Sequence, residues 1–155
     1  MTFNFTSAQQ VIDATGKILG PTEWLTIDQD RINLFADATG DHQWLHVDPE
    51  RAAQGPFGRT IAHGFMTLSL TNMALPDLFM PTNIDWGVNY GVDRVRFPAP
   101  VPVGSRIRVL GEILGAQDMG DRVIQTRVRL TVEIEGSAKP ACVADTVQRY
   151  KFLPD

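Results

Sequence analysis

The second half of the chain consists of four long segments in which apolar and polar residues alternate and Val, Ile and Thr are abundant. A period of two residues is typical of β-strands with one buried face. Short breaks rich in Gly, Pro and Ser separate the segments, at residues 98–100, 115–120 and 136–137. The pattern predicts four antiparallel strands, at residues 82–97, 105–114, 122–135 and 141–152.

The first half carries helical signals instead. Residues 61–75 are apolar on almost every side and Pro76 follows them, which predicts a long buried helix. Shorter elements precede it: a helix at 7–15 with Ser7 as its cap, a strand at 23–27, a helix at 29–38 ended by Gly40, and a helix after Asp48. One buried helix followed by four strands predicts an α+β fold, with the antiparallel sheet wrapped around the central helix.

Composition adds the cellular setting. The chain has 155 residues, 43% of them hydrophobic, which suits one domain over residues 1–155. A net charge of −4 and a pI near 5.3 argue against nucleic acid or an anionic membrane as a partner. The single cysteine, Cys142, excludes an internal disulfide and suggests a reducing compartment. The N-terminus lacks the features of a signal peptide, so we expect a cytoplasmic protein.

The candidate chemistry lies in one short stretch, because all three histidines fall between residues 42 and 63. Asp41 and His46 lie five positions apart in a loop-like segment, and a carboxylate with an imidazole is the usual pair for moving protons near neutral pH. His63 and Gly64 open the apolar helix. The unpaired N–H groups of a helix start can stabilise a developing negative charge, so the set points to chemistry on a carbonyl compound.

Other interpretations of the same residues stay open. Asp41 could simply cap a turn, and His46 could be a buried structural histidine. His42, His46 and Asp48 could hold a metal, but that needs a helix which Gly40 and the lack of apolar spacing disfavour.

Four blocks resemble the MaoC-like dehydratases, and most closely their nodulation protein N-like subgroup: residues 39–48 (TGDHQWLHVD), 55–58 (GPFG), 60–65 (TIAHGF) and 89–100 (NYGVDRVRFPAP). The resemblance implies a hotdog fold and (R)-specific enoyl-CoA hydratase activity, the reversible syn hydration of a trans-2-enoyl thioester. It implies that Asp41 and His46 form the catalytic pair. It also implies that the backbone N–H of Gly64 polarises the thioester carbonyl.

The resemblance further implies a homodimer that acts on an acyl-CoA or an acyl chain bound to a carrier. Coenzyme A would enter only as part of the substrate, with no other cofactor and no metal. The chain has Gln43-Trp44 where many members have Asn-Pro, and Asn72 where some have a serine on the helix. The candidates for substrate binding are Trp44, His63, Asn72, Arg94 and Arg96. Trp44 and His63 could equally be structural, and the two arginines could face solvent.

Two other functions compete with a hydratase. A hotdog thioesterase commonly places a carboxylate on the central helix, and residues 63–75 contain none. A non-catalytic subunit that only dimerises would have no use for the intact Asp41 and His46.

Overall fold

Thirteen helices and strands make up the fold in the computed structural model, which describes residues 1–154. The helices are α1 (Ala8–Asp13), α2 (Gln29–Thr39), α3 (Trp44–Val47), α4 (Pro49–Ala53) and α5 (Gly64–Leu78). The strands are β1 (Phe3–Phe5), β2 (Ile18–Leu19), β3 (Leu25–Thr26), β4 (Phe79–Pro81), β5 (Ile84–Arg96), β6 (Arg106–Gly120), β7 (Val123–Ile134) and β8 (Cys142–Phe152).

The four predicted strands are present as β5 to β8, and every pairing among them is antiparallel. The main sheet has the order β2-β6-β7-β8-β5, with β3 also paired to β6. A separate parallel pair, β1 with β4, was not predicted from the sequence. Helix α5 packs against β6, β7 and β8. The prediction of an antiparallel sheet around a central helix is therefore confirmed.

The predicted bounds of the central helix were wrong at both ends. Residues 61 and 62 are extended, because Ile61 bridges to Pro102 and the Ala62 N–H donates to the Val101 carbonyl. At the other end α5 continues through Pro76 to Leu78. A proline in the last turn removes one helical hydrogen bond, the one that would reach the Asn72 carbonyl, and only a short piece of helix follows it.

Burial of α5 on every side was also predicted, and the structure corrects this. Met66, Thr67 and Leu75 face the sheet and are buried. Phe65 is 70% exposed and Met73 is 52% exposed on other faces. The apolar character of the helix therefore exceeds what the sheet of one chain covers.

Residues 115–120, predicted as a turn, belong to β6. A β-bulge beside Gly115 lets the strand bend while it stays paired with β7. The chain reverses instead at Asp121 and Arg122, which both have positive φ angles, of 52° and 62°. Two such residues are the signature of a type I′ hairpin turn, which Gly-rich sequence usually marks.

Among residues 1–154 the structure contains no helix that combines the length and the apolar character needed to cross a membrane.

Cys142 is fully buried at the start of β8, and burial raises the pKa of its thiol to about 11. The thiolate is the reactive form, so the native protein should not react with Ellman's reagent at pH 8. The same protein unfolded in guanidinium should release one equivalent of thionitrobenzoate. Rapid labelling of the native protein would show that β8 opens far more readily than its packing indicates.

Candidate active site

Asp41 lies in the loop that follows α2. Gly40 ends that helix in the left-handed conformation, with φ of 79°, and so turns the chain sharply before Asp41. The Asp41 side chain is 54% exposed. Its Oδ1 accepts a long hydrogen bond of 3.4 Å from the Gln43 N–H, which leaves most of its lone pairs free.

His46 lies on the single turn of α3 and is 8% exposed. Its Nδ1 is 2.7 Å from the carbonyl oxygen of Ile61. A carbonyl can only accept, so Nδ1 carries the proton of the neutral ring and Nε2 keeps a lone pair. The contact with Ile61 therefore fixes the tautomer that can take a proton at Nε2.

Two polar side chains hold the His46 turn in place. The Gln29 Nε2 group donates to the His46 carbonyl at 2.7 Å. The Gln29 Oε1 atom accepts from the hydroxyl of Thr60 at 2.5 Å, and Thr60 is almost completely buried. Nothing in the sequence distinguished Gln29 from the other polar residues of α2, because its role depends on a contact 31 positions away.

His63 is the third ring of the site. It is 3% exposed and stacks on His46, with ring centroids 3.9 Å apart, while Phe35 covers it at 4.9 Å. Its Nε2 donates to the backbone carbonyl of Asp41 at 2.9 Å, and burial lowers its pKa, which favours the neutral ring. His63 therefore ties the Asp41 loop to the start of α5. Its Nδ1 is buried without a partner.

Asp41, His46 and His63 converge, since one ligand-type atom from each lies within 4.8 Å of the others. This is the one group of His, Cys, Asp or Glu residues with such spacing in residues 1–154. A metal is bound in the plane of an imidazole ring, and these two rings stack face to face with an interplanar angle of 24°. The arrangement suits packing and proton transfer better than a shared ion.

The metal set considered from the sequence is not assembled. His42 turns away to bond Asp37 at 2.8 Å, on the surface, and this hydrogen bond raises its pKa. Asp48 caps α4 by accepting from the Arg51 N–H at 3.0 Å.

Gly64 begins α5 beside this cluster. No side chain caps the helix at His63, and the first helical hydrogen bond is donated by Thr67. The N–H groups of the first turn are thus free to bind a ligand atom. A Cβ atom at residue 64 would lie 3.0 Å from the ring of Phe97, so any other residue would have to displace that ring by a few tenths of an ångström.

The structure does not bring the other substrate-binding candidates into this cluster. The Trp44 ring packs under the Arg51 guanidinium, 4.5 Å from the ring centroid, and against Gly55. Asn72 lines clefts farther along α5.

Arg94 and Arg96 lie on the outer face of the sheet, the face turned away from α5. Their neighbours across the ladder are Asp145 and Val143. Together with Arg129 these residues surround a shallow depression, and Arg129 binds Asp145 through two bonds of 2.7 and 3.0 Å. Both arginines end β5 immediately before Phe97, whose ring covers Gly64.

An antiparallel sheet around one central helix defines an α+β protein of the hotdog class. Within that class the chain belongs to the MaoC-like domain family, whose profile matches residues 10–135. The resemblance found in the sequence is thereby confirmed.

Relatives align along almost the whole chain. The 3-hydroxyacyl-thioester dehydratase Z of Mycobacterium tuberculosis is 54% identical over 146 residues, covering 94% of this chain and 97% of the relative. Nodulation protein N of Rhizobium leguminosarum bv. viciae is 46% identical over 154 residues, covering 96% and 94%. The crystal structure of a monoamine oxidase regulatory protein from Archaeoglobus superposes with a TM-score of 0.79 at 23% identity, covering 99% of both chains.

Proposed function

We propose that this protein is an (R)-specific enoyl-CoA hydratase, which reversibly adds water to trans-2-enoyl-CoA to give (R)-3-hydroxyacyl-CoA. The convergence of Asp41 and His46 next to the uncapped start of α5 carries the proposal. Membership of a family that includes a 3-hydroxyacyl-thioester dehydratase 54% identical to this chain supports it.

Each part of the site has a step to perform. Asp41 accepts a proton from water, whose oxygen then attacks C3 of the enoyl group. His46, with Nε2 free, orients that water and relays a proton, so that C2 receives one and the catalytic groups return to their starting state. Negative charge on the thioester oxygen during attack is stabilised by the Gly64 N–H and the dipole of α5.

The remaining parts of the substrate fit the surroundings. Coenzyme A enters as part of the substrate, and no other cofactor or metal has a step in this chemistry. Arg94 and Arg96 are the cations nearest in sequence to Phe97, whose ring covers Gly64, and within residues 1–154 neither has a carboxylate within salt-bridge distance. We assign them to the phosphates of coenzyme A.

A cytoplasmic location belongs to the same proposal, supported by the reduced, buried Cys142.

A thioesterase is the second candidate function, and the positions of carboxylates on α5 bear on the choice between the two functions. Helix α5 does carry a carboxylate, Asp77, but it lies 13 residues after Gly64, roughly 20 Å along the axis. No carboxylate of α5 is therefore near the helix start. This distance favours the hydratase.

The decisive test is to incubate the purified protein with crotonyl-CoA and follow loss of the enoyl absorbance, with chiral analysis of the product. We expect (R)-3-hydroxybutyryl-CoA and no free thiol. Release of free coenzyme A without hydration would establish the thioesterase instead, and no reaction with crotonyl-CoA or longer enoyl-CoAs would favour a non-catalytic subunit.

A homodimer is part of the proposal, because the sheet ends in an unprotected edge. Strand β5 is 13 residues long, pairs only with β8, and exposes every residue except Ile84 and Val95. Long exposed edge strands pair with other chains unless something blocks them. The exposed apolar residues of β5, Trp86, Val88, Tyr90 and Val92, fit a second copy of this strand.

Light scattering at micromolar concentration should therefore give twice the mass of the 17.2 kDa chain. Val88→Lys places a charge on the pairing edge and should raise the dimer dissociation constant by roughly tenfold, about 1.4 kcal/mol. Met119→Lys, at an exposed residue of the β6 hairpin, is the control and should leave the dimer unchanged. A wild-type protein that stays monomeric would contradict the proposal.

A further inference from the structure

Two clefts run beside α5, between that helix and strands β5 and β8. The first, of about 230 Å³, begins at Leu68, one turn after Gly64. The second, of about 260 Å³, continues to Phe79 at the end of the helix. Both are lined by Asn72, Leu75, Asn89 and Gln148, so these residues mark the place where the clefts meet.

Three of the four shared residues carry carboxamides, and they come from three different elements. Asn72 lies on α5, Asn89 on β5 and Gln148 on β8. Asn89 and Gln148 are direct partners across the ladder, so their side chains share the face of the sheet that meets the helix. We call Asn72, Asn89 and Gln148 the carboxamide cluster.

The hydrogen-bonding capacity of the cluster is largely unused within the chain. Gln148 is 3% exposed, and its Oε1 accepts one long bond of 3.4 Å from the Thr126 hydroxyl. Its Nε2 group has no acceptor in residues 1–154, and the side chains of Asn72 and Asn89 have no partner there either. Asn72 and Asn89 are exposed, so water can satisfy them, and only Gln148 is a buried residue. Its amide donor lies at the wall of the cleft without an acceptor from the chain, which points to a ligand group there.

The chemistry of the clefts limits what that group can be. No Asp, Glu, Lys, Arg or His lines either cleft, so a charged group would be left without a counter-ion. The second cleft is mainly apolar beyond the cluster, with Phe79, Met80, Ile84 and Val88 among its lining residues. The arrangement suits a chain with one neutral polar group between two apolar stretches.

The distance between Gly64 and the carboxamide cluster matches the length of an acyl chain. Asn72 is eight residues after Gly64, which is roughly 12 Å along a helix that rises 1.5 Å per residue. A four-carbon crotonyl group held at Gly64 does not reach the cluster, whereas the distal half of a medium-length acyl chain does.

We propose that the carboxamide cluster selects enoyl thioesters whose acyl chain carries a neutral oxygen substituent, a hydroxyl or a keto group, in its distal half. This inference rests on the proposed hydratase function and names its substrate class. Carboxamides supply both donors and acceptors, so the cluster can bind either substituent. A plain chain leaves the Gln148 amide buried and unpaired, and this penalty discriminates against it.

The test compares trans-2-dodecenoyl-CoA with analogues that carry one hydroxyl or keto group at successive carbons of the distal half. We expect at least one analogue to exceed the plain chain in kcat/KM by roughly tenfold, which corresponds to one or two hydrogen bonds. Asn72→Leu combined with Gln148→Met should abolish that preference. The same variant should lose far less activity on crotonyl-CoA, whose short chain does not reach the cluster, than on the preferred analogue, and it should keep the wild-type mass by light scattering.

Gln117→Met is the matched control, because Gln117 is an exposed glutamine of β6 outside both clefts, and it should preserve the preference. Equal rates for the plain and all the substituted chains, with crotonyl-CoA hydrated normally, would overturn this inference alone. A cluster variant that becomes monomeric and loses activity on every substrate would also overturn it, by assigning the carboxamides to the subunit contact. Failure of the wild type on every enoyl-CoA would overturn the proposed function itself.

Discussion

Asp41→Asn should lower kcat/KM for crotonyl-CoA hydration by roughly 10²–10⁴, the range typical of lost acid/base catalysis. Asparagine has the shape of aspartate but cannot accept a proton from water. The fold should tolerate the change, because the Asp41 side chain is 54% exposed and makes only one long hydrogen bond. The bond from His63 is to the Asp41 backbone and survives. Steady-state kinetics and a thermal melt on the same sample separate a loss of catalysis from a loss of stability.

Asp48→Asn is the matched control, seven positions away. The Asp48 carboxylate caps α4, and asparagine caps helices about as well as aspartate. We expect a shift of a few degrees at most in Tm and near-normal hydration. Wild-type activity in Asp41→Asn together with an inactive Asp48→Asn would mean that the wrong carboxylate had been assigned.

His46→Ala should reduce hydration to a similar extent, by roughly 10²–10⁴, because it removes the Nε2 lone pair that the Ile61 contact presents. Since Asp41 and His46 act on the same water, the double variant should be little worse than either single one. A loss equal to the product of the two single losses would show that the residues act in separate steps.

The control for His46 is His42→Ala. His42 lies four positions earlier, is 53% exposed and bonds Asp37 on the surface. Its loss should leave kcat/KM near the wild-type value. His46 also packs on His63, so circular dichroism and Tm must accompany the His46→Ala kinetics. An unfolded His46→Ala protein would be replaced by His46→Gln, which keeps a polar side chain of similar length and lacks the titratable ring.

Much of the fold could be predicted because the signals are local. Strand alternation depends on which face of a pleated sheet is buried, and it located β5 to β8 without any knowledge of their partners. The caps at Ser7 and Asp48 and the stop at Gly40 work within one helical turn, so they could be predicted from the sequence. The motif containing Asp41, His46 and Gly64 was recognisable for the same reason.

Errors arose where a distant contact outweighed a local signal. Gly115 and Gly120 read as a turn, but pairing with β7 holds them in a bulged strand. Pro76 predicted the end of the helix, but α5 continues to Leu78 because its packing holds the last turn. The all-round apolar pattern of α5 predicted full burial, whereas one chain covers only part of the helix.

The sequence by itself determined the family and the class of fold, and it singled out Asp41 and His46 as the candidate acid/base pair, since each depends on residue types at short spacing. Only the tertiary structure decided that His63 stacks on His46 and anchors the Asp41 loop, and that Gln29 and Thr60 support the His46 turn. It alone brought Asn72, Asn89 and Gln148 together from three elements. The physical reason is that packing and hydrogen bonding join residues across tens of positions, and no local pattern encodes which distant surface a side chain will meet.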